Sequence, residues 1–129
     1  MPSKLYLAAR ILLGLIYFVF GLNGFLNFIP LPPGIPEAAM NFSAAMMATG
    51  YFIPLLKGTE VIGGLMLLTG FAAPLGLVVL APITLQIFLY HWFLTPGATN
   101  QIMPVAMMVM HLVAALAYWP LYRPLFGRR

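Results

Sequence analysis

Charge is almost absent from this chain: of its 129 residues, six are Lys or Arg and two are Asp or Glu. Soluble domains carry about a quarter of their residues as charged side chains. With 63% hydrophobic residues and a mean hydropathy of +1.01, the composition excludes that class and points to a membrane protein. Cysteine is missing altogether, which removes thiol–disulfide exchange, Cys-ligated zinc and iron–sulfur clusters. Also missing are ten-residue segments of alternating polarity, so a β-barrel is excluded. The apolar runs are instead continuous and about 20 residues long, the length of a spanning helix.

Four such runs are present, at residues 9–28, 52–69, 74–94 and 102–121. The expected fold is an all-α integral membrane protein, a bundle of four transmembrane helices forming one domain over residues 1–129. The first run is longer than a signal-peptide core and no A-x-A-like cleavage site follows it, so a retained helix is expected. The net charge of +4 does not read as a nucleic-acid surface. Lys4 and Arg10 stand at the head of the first span, and Arg123, Arg128 and Arg129 follow the last. Under the positive-inside rule both ends are cytoplasmic, which requires an even number of spans.

Punctuation between the runs agrees. Four prolines and a glycine in residues 29–36 (IPLPPGIP) stop the first span. Residues 36–49 regain helical character, with Ile35, Ala39, Phe42 and Met46 recurring at helical spacing. At that length the segment is too short to span, and an amphipathic helix lying on the outer surface as a cap is expected. Residues 70–73 make a tight inner turn, so the second and third spans are antiparallel neighbours. Pro82 falls inside the third span, where it should kink the helix. Gly14, Gly21 and Gly24 in the first span allow close helix approach. No internal repeat stands out.

Lys57 and Glu60 lie inside the second apolar run. Each such charge costs roughly 2.5–3.5 kcal/mol at mid-membrane, against about 0.3–0.6 returned per good apolar residue. A pair kept under those conditions faces protein or water and is a candidate functional site. At i and i+3, the two side chains share a face and can pair. At about 1.5 Å of rise per residue, Glu60, Gln86 and His111 fall roughly 12–14 Å below the outer boundary. Asn23 is a little shallower, and Lys57, His91 and Asn27 are nearer the surface. Every helix thus contributes to one polar layer.

Each member also has a structural explanation. Lys57–Glu60 can be an ion pair that locks packing, or Lys57 can snorkel. His91 can be an interfacial belt residue, His111 a satisfied core histidine, and Asn23 and Gln86 interhelical glue. The methionines of the fourth span read as core filler. Nothing reads as a metal site. Two histidines on facing helices raise bis-histidine haem, but their depths of roughly 5 and 14 Å argue against a shared iron.

Residues 10–28 (RILLGLIYFVFGLNGFLNF), 57–70 (KGTEVIGGLMLLTG) and 90–94 (YHWFL) resemble the DoxX family of small bacterial membrane proteins, and the resemblance extends over nearly the whole chain. It implies a four-helix bundle of the bacterial inner membrane, with ties to quinone or sulfur redox systems such as thiosulfate:quinone oxidoreductase and quinone detoxification. Many relatives carry a lysine near the position of Gly24, so a role for that lysine is not carried over. Distant four-helix relatives include vitamin K epoxide reductase-like enzymes, whose cysteine mechanism this chain lacks, and an animal receptor-assembly chaperone. The expected function is a quinone-linked redox component. Glu60, Lys57 and His91 would be its reacting groups, and Asn23, Gln86, Tyr90 and His111 would line the pocket. No redox centre is evident in the residues, so electrons would come from a partner subunit or a bound cofactor. A non-enzymatic scaffold and a small proton-coupled transporter remain as alternatives, and a homo-oligomer is left open.

Overall fold

The computed structural model describes residues 3–127; Arg128 and Arg129, counted above with the basic C-terminal end, lie outside the described residues. Helices α1 (Ser3–Leu26), α2 (Glu37–Ala48), α3 (Phe52–Thr69), α4 (Ala73–Phe93), α5 (Ala98–Ala117) and α6 (Trp119–Tyr122) follow in order, with a 3-10 turn over Arg123–Phe126. Four of them, α1, α3, α4 and α5, are long and apolar enough to cross a membrane.

These four form a closed ring. Helices α1 and α4 each pack on both α3 and α5, so α1 lies opposite α4. Successive members run antiparallel: Gly14 of α1 meets Gly64 and Leu67 of α3, whereas Gly24 meets Lys57. The seam between α1 and α3 is the tightest because glycines line it on both sides. A Cβ on Gly64 would come within 2.6 Å of the Phe18 nitrogen and 2.8 Å of the Gly14 oxygen. Glycine at these positions is therefore a condition of the backbone approach. The α3–α4 turn uses Gly70 in the left-handed region at φ 82°, a conformation that suits glycine at a helix C-cap.

Residues of the ring divide into two halves. Toward the end where α1 begins and α5 finishes, Ala9, Leu13, Leu67, Ala73, Leu77 and Ala114 make a dense core. Arg10 ties this end together, donating from Nε to the Leu67 carbonyl at 2.9 Å and from Nη1 to the Tyr118 hydroxyl at 3.3 Å. Tyr122 donates to the Pro74 carbonyl at 2.6 Å. Toward the other end the ring is hollow, and α2 lies over the opening. Ile35, Ala39, Phe42 and Met46 are the buried and half-buried side of that segment, the face expected from their spacing.

Two boundaries differ from the sequence reading. α1 starts at Ser3 rather than residue 9 because nothing in SKLYLA interrupts a helix, and it ends at Leu26 where Asn27 turns left-handed at φ 53°. α5 starts at Ala98, four residues before the apolar run, and ends at Ala117. Gly97, at φ 136°, breaks the chain just before it. Pro120 has no N–H to return to the Leu116 carbonyl, so the helix cannot continue unbroken through the aromatic end.

Candidate functional site

The hollow half encloses a cavity of about 710 Å³. Every spanning helix and α2 contribute walls, and most of the lining is apolar: Ile16, Phe20, Phe42, Met46, Ile53 and Met103 among others. Polar groups enter from four directions, Ser43 coming from α2. Glu60 and Lys57 reach it from α3, Gln86, Tyr90 and His91 from α4, and Tyr17 from α1.

Glu60 is 3% exposed, and its carboxylate Oε1 accepts from Lys57 Nζ at 3.3 Å. This is the one ion pair among the described residues. α3 can bring the two together because i and i+3 share a face. Gly24 decides where the lysine lies: its missing side chain leaves room for the Lys57 methylenes against α1. Glu60 likewise presses its Cβ toward Gly21. The charge pair is therefore seated by two glycines of the neighbouring helix, with its polar ends turned to the cavity.

His91 sits at the α2 end of the cavity. Its Nδ1 donates to the Ile87 carbonyl at 2.9 Å, so in the neutral ring Nε2 is the bare acceptor. The backbone of His91 is held in turn, its carbonyl accepting from Thr95 Oγ1 at 3.3 Å and from Gln101 Nε2 at 2.6 Å. Gln101 looks like loop in the sequence but belongs to α5, and from there it fixes the end of α4. Tyr90 packs edge-on to His91 and against Phe42 of α2, ring centroids 5.1 and 5.9 Å apart.

Two of the expected pocket residues stand elsewhere. Asn23 does not line the cavity; its Oδ1 accepts from the Ile29 N–H at 2.7 Å, satisfying backbone just past the end of α1. His111 is buried behind the cavity wall with both nitrogens engaged. Its Nε2 donates to the Leu77 carbonyl at 2.8 Å, so the neutral ring accepts at Nδ1 from the Thr84 hydroxyl, 2.8 Å away. Thr84 in turn accepts from Tyr17. The direction of every proton in this chain follows from the one carbonyl at its end, which can only accept.

Tyr17 is the residue that the sequence reading did not single out. It is 1% exposed and forms the boundary between the dense and hollow halves. Its phenol proton points to Thr84, so the oxygen lone pairs are what it can offer elsewhere. The arrangement as a whole puts a charged pair and a histidine on the walls of an otherwise mostly apolar cavity.

A family model described as DoxX matches residues 5–92. The match includes α1 through nearly all of α4, hence Lys57, Glu60 and His91, and stops short of α5. No curated protein and no solved structure matches the chain.

Proposed function

Because this chain belongs to the DoxX family of membrane proteins, we propose that its cavity binds the head group of a quinone and that the protein is the membrane component of a redox system. One observation carries the reading: a membrane-embedded cavity of about 710 Å³ whose wall holds Glu60, Lys57, His91, Tyr90 and Gln86 amid apolar side chains. A quinone supplies two-electron chemistry, and its reduction also consumes two protons. Lys57 donates a hydrogen bond to a carbonyl oxygen, and His91 Nε2 accepts one from a hydroxyl. Glu60, the sole deep carboxylate of the sequence, would hold one of the two protons for the bound oxygen, and its ion-pair partner Lys57 would hold the other. Phe20, Phe42 and Met103 give a quinone ring and its tail apolar walls. The electrons would come from a partner subunit or a bound cofactor. The residues present fit the group in size and in donor–acceptor pattern.

Purification in mild detergent, followed by solvent extraction and mass spectrometry, tests the binding. About one equivalent of a quinone should be recovered, and a short-chain benzoquinone should rebind after extraction. A stoichiometric protein partner with no small molecule would instead establish the scaffold reading.

We place the protein in the bacterial inner membrane with both termini in the cytoplasm, since Lys4, Arg10 and Arg123 gather at the end opposite α2. Cysteine introduced at Ser3 or Gly127 should then label from the cytoplasmic side alone, and at Thr99 from outside alone. Labelling at Gly127 from outside would reverse the assignment.

A further inference from the structure

A second hollow, of about 360 Å³, opens at the dense end of the bundle between the start of α1 and the end of α5. Ser3, Lys4, Tyr6, Leu7, Arg10 and Tyr118 line it. Ser3, Tyr6, Leu7 and Arg10 fall at helical spacing and so form one stripe of α1. Two cations, three hydroxyls and an apolar wall therefore share one concavity. We propose that this hollow binds the phosphodiester head group of an anionic phospholipid.

Charge balance is the first argument. The sequence holds two acidic side chains. Glu60 is paired with Lys57, and Glu37 stands at the start of α2, at the far end of the bundle. No side-chain carboxylate is left for Lys4 or Arg10. Positive charge lining a concavity with no side-chain carboxylate beside it attracts an external anion.

Arg10 supplies the geometry. Its Nε and Nη1 are spent on Leu67 and Tyr118, which fix the plane of the guanidinium. Nη2 has no hydrogen-bond partner among the described residues. A pre-oriented guanidinium edge with one free nitrogen is suited to a phosphate oxygen, and the exposed Lys4 ammonium is a second donor about 1.7 turns away on the same helix. Arg10 cannot swing out to pair elsewhere without giving up the Leu67 carbonyl.

Depth selects a lipid as the source. With 24 residues, α1 is about 36 Å long by helical rise, against a hydrocarbon core of about 30 Å. Its first turn therefore emerges at head-group level. Leu7 and Ala117 give the acyl-chain side of a lipid an apolar wall, which a soluble phosphate ion would not use.

The test uses the purified chain in micelles doped with phosphatidylglycerol or phosphatidylcholine, reading bound lipid by native mass spectrometry and the thermal midpoint. Phosphatidylglycerol should be retained preferentially and should raise the midpoint. Lys4→Gln should weaken that preference about fivefold, the usual worth of one basic side chain near an anionic head group. Lys4 is exposed, so this variant should fold normally. Arg123→Gln removes the same charge from the same end outside the hollow and should leave the preference nearly intact. Equal losses in the two variants would mean a diffuse field and overturn the site. Inorganic phosphate producing the same midpoint shift as phosphatidylglycerol would overturn the lipid as its occupant, and no preference in the parent protein would overturn both.

Discussion

Glu60→Ala is expected to lower stability by about 3–5 kcal/mol, the usual consequence of stranding one member of a buried ion pair. Lys57, whose side chain is 26% exposed, would be left against the α1 glycine seam with no carboxylate and an apolar environment around its ammonium. Partial exposure puts the expected cost toward the lower figure. Glu60→Gln keeps the volume and a hydrogen-bond acceptor, so a smaller loss is expected. The informative variant is double, Glu60→Gln with Lys57→Met. It removes both charges at similar volume and should return stability to within about 1 kcal/mol of the parent, because replacing a buried pair by neutral groups is often close to neutral. Unfolding midpoints in detergent give the stability ranking, and rebinding of a short-chain quinone gives the function. A double variant that folds and has lost quinone supports the proposed chemistry. One that folds and binds as before makes the pair architecture alone.

Gly64→Ala should be the more damaging of two glycine substitutions that look alike in sequence. At Gly64 the added carbon meets backbone, the Phe18 nitrogen at 2.6 Å and the Gly14 oxygen at 2.8 Å. Backbone cannot step aside, so α1 and α3 must separate along their whole seam. Overpacking typically costs about 1–3 kcal/mol, and this site should lie at or above the upper figure. At Gly24 the added carbon meets the Lys57 methylenes, the middle of a flexible side chain. With the nearest contact, Lys57 Cγ, well inside 3.0 Å, Gly24→Ala should cost about 1 kcal/mol or more while shifting the lysine relative to Glu60. The two variants measured side by side in thermal unfolding should differ clearly. Equal losses would mean that the seam yields as easily as a lysine stem does.

Much of the architecture is visible in the residues because the bilayer imposes a length on each span. Residues 52–69 are bounded as expected, since Gly70 ends the helix where the apolar run ends. The cap is visible too, because Ala39, Phe42 and Met46 repeat at helical spacing. The ends of α5 are not: Thr99, Asn100 and Gln101 read as turn residues, yet a helix that starts at Ala98 includes them and uses Gln101 to hold His91. Site membership is harder still. Lys57 and Glu60 are local to one helix and could be paired by counting. Tyr17 and Thr84 are 67 residues apart, and nothing in an apolar run distinguishes a phenol that meets a hydroxyl from one that packs. Asn23 and His111 were drawn toward the pocket by depth alone. Depth says how far along a helix a residue lies, not which way it faces. Asn23 turns to the Ile29 N–H and His111 to the Leu77 carbonyl.

Dividing the bundle into a dense half and a hollow half separates two kinds of evolutionary constraint. Substitutions in the dense half, at Gly14, Gly64 or Leu67, are judged by whether the chain folds. Phe20, Ile53 and Met103 in the hollow half can exchange for other apolar side chains with little effect on the α1–α3 seam. Each exchange reshapes the cavity. A lineage built on this plan can change the shape of its cavity by drift in one half while the other keeps the scaffold intact. Diversity of cavity shape within a single architecture then needs no new fold, no inserted domain and no cysteine.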